Sequence, residues 1–181
     1  MTTPPDTSEI AQQLETLSVV ELNSVRVGDE LLLALVSDGS ISLLARLHAS
    51  EVLLRRDRAT FLSVIGAAKV ATIYVAALKN QVTIDLNPWA FLSFDELGPF
   101  GQTLVACGES AIAELVPLLP IQRLAGLYSG SAEAKEGNAD QPRVCDFAAF
   151  FISRIKQLPF RFHRDDFTLR NVEIDRVKRL V

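Results

Sequence analysis

The 181-residue sequence lacks the short motifs that mark the commonest enzyme active sites. It has no phosphate-binding glycine loop, no dinucleotide-binding glycine pattern, no nucleophile elbow and no Cys-x-x-Cys pair. Its two histidines are far apart in the chain, and neither has an evident acid or base partner beside it. The sequence therefore favours a non-enzymatic protein without a cofactor, although an enzyme that uses only carboxylates remains open.

Cysteine, proline and glycine are also scarce, at two, eight and nine residues. Cys107 and Cys145 lie among apolar neighbours, so we expect two buried free thiols and no disulfide framework. With 49% hydrophobic residues, the composition excludes disordered and fibrous proteins. The N-terminal ten residues lack the basic and apolar regions of a signal peptide. We expect a cytoplasmic protein with a flexible tail at residues 1–6 and a single helical domain at residues 7–181.

The longest apolar run, Phe61 to Leu78, contains one charged residue, Lys69, and no proline. Its length of about 18 residues is the lower limit for a transmembrane helix, but a charge at the bilayer centre costs at least about 2.5 kcal/mol. A strand at Val70 to Ala77, paired with Gln81 to Leu86, is a second alternative because β-branched residues are frequent in both. The alanines and the unbroken length favour a buried central helix in an all-α domain and argue against membrane insertion.

Capping signals divide the N-terminal half, residues 7–86, into further helices. Asp6 or Thr7 can cap a short helix that reaches about Leu17. Ser18 and Glu21 have the spacing of a capping box, which predicts a helix ending at Gly28. We expect later helices to begin at Asp29, at Ile41 and at Asp57, the last of these being the central helix.

The C-terminal half, residues 87–181, has its own start and stop signals. Asn87 and Pro88 suit a helix cap and first helical position, and Ser93 and Glu96 have capping-box spacing for a helix that ends near Cys107. Further helices are predicted at Glu109 to Leu119, Arg143 to Ile155 and from about Leu169 to the C-terminus. We expect the last of these to dock through Val172, Ile174, Val177 and Leu180.

The stretches LVACGESAIAELVPLL and RVCDFAAFFISRI resemble the two helices of a HEAT-type repeat. The matching positions are Gly108, Ala111, Ile112, Leu115, Leu118 and Leu119 in the first, and Val144, Ala148, Ala149, Ile152 and Ile155 in the second. The resemblance covers roughly residues 94–156, and it departs from a regular repeat at 120–142, where a repeat has a short turn. No repeat period is found upstream. HEAT-type arrays are generally binding scaffolds, so the resemblance implies an interaction module within an irregular helical domain.

Charge and loop composition indicate where a partner would bind. From Arg154 onward, eight basic and four acidic residues give +4 in a chain whose total is −4, so the remaining residues carry −8. The total argues against general nucleic-acid binding, while the uneven layout could steer an acidic partner. The connection at 120–142 is polar, and we expect an exposed, mobile loop. Candidate partner-binding residues are Tyr128, Glu133, Lys135, Glu136, Arg161 and Arg164.

Aromatic and basic residues alternate in the segment LPFRFHRDDF, residues 158–167. Nucleic-acid surfaces use this pattern, but two aspartates follow directly, so we expect the aromatic rings to fix this connection to the core. His163, Asp165 and Asp166 could ligate a metal, which gives an alternative function as a metal-dependent hydrolase. His48 and Glu51, three residues apart, are expected to be surface or partly buried polar residues.

The mean hydropathy of +0.23 is high for a soluble monomer. A large helical core, a second copy in a homodimer, another partner protein or a membrane surface would each cover surplus apolar residues. A peripheral membrane protein is therefore a further alternative to the interaction module.

Overall fold

The computed structural model describes residues 7–82, 87–91, 94–126, 128–130 and 132–181, without the side chains of residues 91 and 133–135. These residues are predominantly helical, which confirms the predicted all-α class. The predicted tail at 1–6 lies outside them. The α-helices of the described chain are α1 (Thr7–Glu15), α2 (Asp29–Ser37), α3 (Leu43–Ile65), α4 (Ala67–Asn80), α5 (Pro99–Ala106), α6 (Glu109–Leu115), α7 (Ala132–Ala139), α8 (Val144–Ile155) and α9 (Phe167–Lys178).

The predicted capping signals of the N-terminal half produce helices of different lengths. The Ser18 backbone N–H donates to the Glu21 carboxylate at 2.8 Å, as in a capping box, but only a short 3₁₀ helix, Glu21–Ser24, follows. The prediction that this helix continues to Gly28 is wrong, because the backbone is already extended at Val25. Asp57 has non-helical backbone angles inside α3, and its carboxylate accepts bonds from the Thr60 N–H and hydroxyl. This local cap confirms the helix start predicted there.

The predicted central helix is interrupted at Gly66. Helix α3 ends at Ile65, α4 begins at Ala67, and the two axes are bent by 114°. Gly66 has φ +87°, which residues with a Cβ rarely adopt, so glycine permits the break. The strand alternative at Val70 to Ala77 is wrong, because these residues lie within α4.

Helices α3 and α4 also bear on the membrane question. Within the described ranges no single helix has the length and apolarity needed to cross a bilayer, and the bent pair of α3 and α4 meets those criteria only when the two are taken together. In this structure α4 buries Val70, Ala71, Ile73, Tyr74, Val75, Ala77 and Leu78 in the protein core.

A short hairpin precedes α5. Strands β1 (Ala90–Phe91) and β2 (Glu96–Leu97) pair antiparallel. The prediction of a helix start at Asn87 is therefore wrong, and so is the prediction that Glu96 caps a helix. Ser93, which was predicted to form a capping box with Glu96, lies outside the described residues. Close packing favours the hairpin: a Cβ added at Gly98 would lie 2.3 Å from the Pro88 carbonyl oxygen, and one added at Gly101 would lie 2.2 Å from that of Trp89.

Aromatic rings fill the space between α4, the hairpin, α5 and α8. The Trp89 ring lies 5.2 Å from that of Phe100 and 6.3 Å from that of Phe151, measured between ring centres. Both the Trp89 and Phe100 side chains are fully buried. Nearly all of α8 is buried as well, and it packs on α5, α6 and α9. Helix α8 is therefore the element on which the C-terminal half is assembled.

The connection from residue 120 to 142 is partly folded onto this frame. It contains α7, and the Asn138 side chain bonds both the N–H and the carbonyl of Tyr128, at 2.9 and 2.7 Å. The Ala125 N–H donates to the Pro142 carbonyl at 2.7 Å, which closes the base of the connection. Most described residues of the connection are exposed or partly exposed, as predicted, and the structure adds that the connection is partly helical and fixed at its base.

Candidate binding cleft

A cleft of about 780 Å³ opens between the connection from α8 to α9 and the turn after β1. Five of the residues singled out from the sequence line it: Arg161, His163, Arg164, Asp165 and Asp166. Phe160 and Phe162 lie on the same segment, and Phe94 and Asp95 form the opposite side. The sequence therefore identified one wall of the cleft and missed the other.

Aromatic rings form the floor of the cleft. The Phe162 ring centre lies 4.3 Å from that of Phe94, and Phe160 packs 5.8 Å from Phe150. This confirms the prediction that the rings of this segment fix it to the core. Phe94 has φ +64°, an uncommon conformation for a bulky residue. Its contacts with Phe147 and Phe150, at 4.7 and 5.1 Å, offset that strain and hold the ring in place.

Arg170 supports the cleft segment from beneath. This α9 side chain is 2% exposed, and it donates to the carbonyls of His163, at 2.6 Å, and of Arg164. It also donates to the carbonyls of Asp140 and Gln141, at 2.6 and 3.2 Å. One guanidinium thus joins the cleft segment to the chain that follows α7.

Arg170 belongs to a buried charged cluster with Arg143 and Asp146. Two nitrogens of Arg143 donate to the Asp146 carboxylate at 2.8 and 3.1 Å, and Arg170 lies 3.6 Å from it. Burial lowers the pKa of the Arg170 guanidinium. Burial also acts to lower the pKa of Arg143, but the bond and charge of Asp146 outweigh it and raise that pKa.

One signal for this cluster is present in the sequence, but its main member was missed. Arg143 and Asp146 are three residues apart at the start of a predicted helix, which is the spacing of a capping pair, and the Arg143 N–H does donate to Asp146 at 2.8 Å. The sequence counts Arg170 only among the basic residues after Arg154. Its burial could not be predicted, because its carbonyl partners lie 6 to 30 residues earlier in the chain.

The rim of the cleft carries charges of both signs. The Arg161 side chain is exposed, and Arg164, about half exposed, lies 3.4 Å from the Asp140 carboxylate. Asp166 caps α9 by accepting from the Leu169 N–H at 2.9 Å. Within the described residues, no three or more His, Cys, Asp or Glu side chains are grouped so as to hold a metal ion. The predicted ligands His163, Asp165 and Asp166 line the cleft without forming such a group.

The remaining partner-binding candidates are not in the cleft. The Tyr128 side chain is buried, and burial raises the pKa of its phenol. Glu136 is exposed on α7. The side chains of Glu133 and Lys135 lie outside the described residues. Of the residues predicted to bind a partner, the structure brings together Arg161 and Arg164.

A second buried acid lies between α3, α4 and α5. Glu51 and His48 are each 2% exposed, so the expectation of surface or partly buried residues is wrong. Glu51 accepts from the Tyr74 hydroxyl and from Thr103 at 3.4 Å, and Arg55 lies 3.5 Å away. Burial raises the pKa of the Glu51 carboxyl, and the Tyr74 hydrogen bond opposes it. Arg55 is four residues further along the same helix, but Tyr74 and Thr103 come from distant parts of the chain, so local spacing could not show that Glu51 is buried.

No protein-family model, curated protein or solved structure matches this chain. The fold and the site define a class: a helical protein with a preformed, mixed-charge cleft over an aromatic floor.

Proposed function

We propose that this protein is a non-enzymatic interaction module that binds another protein through the cleft at residues 94–95 and 160–166, in the cytoplasm. The observation that carries the proposal is the support given to the cleft wall: the buried Arg170 holds the backbone of the segment that presents Arg161 and Arg164. A backbone held in this way loses little freedom when a partner binds, which favours affinity.

The composition of the cleft supports a protein partner. Aromatic residues and arginine are enriched in protein interfaces, typically as an apolar centre with a polar rim. Here the rings of Phe94, Phe160 and Phe162 line the cleft together with the exposed side chains of Arg161 and Asp95. Since the rim has both signs of charge, the partner we propose is a polypeptide segment with an apolar side chain flanked by acidic and basic residues.

The finer architectural proposal is that α6 and α8 form a HEAT-like pair within this module. The two helices pack against each other, and Gly108, with φ +58°, separates α5 from α6 as the repeat pattern requires. The chain between them holds α7 in place of a short turn. A scaffold role follows from this resemblance only by analogy, and the cleft does not depend on it.

The experiment compares capture of partners by three purified proteins: wild type, Arg161→Ser in the cleft and Arg26→Ser as an exposed control outside it. Co-purifying proteins from native lysate are identified by mass spectrometry, and binding of the purified candidate is then measured by calorimetry. We expect Arg161→Ser to weaken binding about tenfold and Arg26→Ser to leave it unchanged. Equal binding by both variants would remove the cleft from the proposal.

A further variant tests the α7 surface. Glu136→Lys reverses an exposed charge that is outside the cleft. If this variant loses the partner while Arg161→Ser retains it, the binding surface is α7 and the proposal for the cleft is wrong.

A further inference from the structure

The side chains of residues 160–162, on the cleft wall, alternate in direction. The Phe160 and Phe162 rings pack on the core, 5.8 Å from Phe150 and 4.3 Å from Phe94, whereas Arg161 between them is exposed. In an extended chain successive side chains point to opposite faces. The alternation therefore indicates that this part of the cleft wall is extended.

The backbone carbonyls around it alternate in the same way. The Pro159 carbonyl accepts from Arg176 of α9, and the His163 carbonyl accepts from Arg170 of α9 at 2.6 Å. In an extended chain, residues two and four apart direct their N–H and C=O groups to the same edge, and the residues between them use the other edge. The edge that carries these two carbonyls is therefore held against α9, and the even-numbered residues direct their backbone groups away from it.

Helix α9 supports this edge with one of its faces. The buried face carries Arg170 together with Ile174 and Val177, which dock as expected. Val172 and Leu180 are 55% and 51% exposed, so the expectation that they dock into the core is wrong, since Arg170 takes part of the buried face.

The opposite edge has four backbone groups that are not used within the protein. No hydrogen bond from another described residue involves the N–H or the C=O of Phe160 or of Phe162. Both residues line the cleft, whose volume of about 780 Å³ is within the roughly 300–1,000 Å³ of ligand-binding pockets. The cleft thus contains donors and acceptors at the spacing of a strand edge.

We infer that the partner binds as an extended strand along residues 160–162, with its backbone hydrogen-bonded to Phe160 and Phe162. This rests on the proposed function and states how the partner is recognised in the cleft. In strand addition, main-chain hydrogen bonds give affinity and alternate side chains give specificity. Directly opposite residues share a face of the sheet, so the partner residues opposite Phe160 and Phe162 should be apolar and the one opposite Arg161 acidic.

An extended segment fits this edge better than a helix does. A helix already bonds its own N–H and C=O groups, so it would cover the Phe160 and Phe162 backbone groups without bonding them, at a cost in free energy. The edge also needs little ordering when a strand binds, because Arg170 and the aromatic contacts already hold it.

The first test uses the capped peptide acetyl-Lys-Val-Glu-Val-Lys-amide as a probe, with amide exchange of the full-length protein followed by NMR. We expect a dissociation constant of about 1 mM. When about nine tenths of the protein is bound, exchange of the Phe160 and Phe162 amides should slow about tenfold, because they then exchange only from the free protein. The Arg161 amide lies on the other edge and should exchange as before. No binding up to about 10 mM, or equal protection of the three amides, would overturn the inference.

The second test changes the backbone of the probe. One peptide carries an N-methyl group on its second valine, and the matched control carries it on the glutamate. Antiparallel pairing uses the valine N–H and parallel pairing uses the glutamate N–H, so one of the two peptides should bind about tenfold more weakly than the other. Equal binding of the two would contradict strand addition.

The captured partner separates this inference from the proposed function. Its binding to wild type and to Arg161→Ser is compared, and amide exchange is measured in its complex with wild type. If binding depends on Arg161 and the Phe160 and Phe162 amides become protected, both proposals are supported. If binding depends on Arg161 but these amides exchange as in the free protein, the strand is wrong and the cleft remains the binding site. If binding does not depend on Arg161, both proposals are wrong.

Discussion

The guanidinium carbon of Arg170 lies 4.0 Å from the centre of the Phe162 ring, while the same side chain donates to the carbonyls of the consecutive residues His163 and Arg164. A second ring, Phe167, lies 4.7 Å from it. The positive charge of Arg170 is therefore surrounded by aromatic rings and backbone carbonyl oxygens, which replace its contacts with water. The position of the cleft wall depends on this one buried side chain.

Replacing Arg170 tests that dependence. Arg170→Met retains an unbranched stem but leaves the carbonyls of four residues without their donor, so we expect the free energy of unfolding to fall by about 3 kcal/mol or more. Urea denaturation followed by circular dichroism measures the change. Arg179→Met, at an exposed residue just after the same helix, should stay within about 0.5 kcal/mol of wild type. A similarly small loss for Arg170→Met would show that the contacts add little to stability.

Glu51 predicts a pH dependence of stability. Because burial raises its pKa in the folded protein above the ordinary 4.5, the folded state holds this proton more tightly than the unfolded chain does. Stability from Glu51 is therefore complete below about pH 4.5 and is lost as the pH rises toward the folded pKa. Glu51→Gln cannot lose a proton, so its stability relative to wild type should increase as the pH rises through this range.

The measurement is chemical denaturation of both proteins at several pH values. Taking the difference between them removes the contribution of the other titrating groups. The exposed Glu30→Gln variant should follow wild type. A stability difference that falls with increasing pH would mean that Glu51 is ionised and stabilising in the folded protein.

Two glycines, one tightly packed and one in open space, should respond in opposite ways to replacement by alanine. A Cβ at Gly101 would lie 2.2 Å from the Trp89 carbonyl and 2.8 Å from the Phe151 ring. Gly101→Ala should therefore cost at least about 2 kcal/mol, the scale of overpacked cores. Gly137 lies in α7 with no atom within 4 Å of the added carbon, so Gly137→Ala should stabilise by about 0.5 kcal/mol through helix propensity. Thermal unfolding of the two variants should shift in opposite directions, and equal shifts would contradict the packing at the hairpin.

The cysteines give a chemical prediction. Cys107 and Cys145 are both buried, and burial raises the pKa of each thiol to about 11. Since the thiolate is the reactive form, a thiol-specific reagent at pH 8 should label neither cysteine in the native protein and both in urea. Rapid native labelling of Cys145 would mean that the start of α8 opens readily.

Much of the helical framework was predictable because local signals set it. The cap at Asp57, the break at Gly108 and the limits of α8 all depend on residues within one turn of the boundary. The bend at Gly66 was missed, since an apolar run has no periodicity to interrupt and glycine is tolerated within helices.

The candidate site was predictable only where its residues are adjacent in sequence. The aromatic and charged segment at 160–166 stood out, whereas Phe94 meets it across more than 60 residues and Arg170 was hidden among ordinary surface charges. Buried polar clusters such as that of Glu51, with partners 23 and 52 residues away, depend on tertiary contacts that composition does not reveal.

The contacts of Arg170 also determine when the cleft wall can fold during synthesis of the chain. The four residues whose carbonyls accept from Arg170 are synthesised before it. The turn after α7 and the cleft wall therefore cannot form these hydrogen bonds until Arg170 has been added to the chain. The surface that we propose for recognition is therefore complete only after Arg170 has been synthesised, which is later than helices α1 to α8.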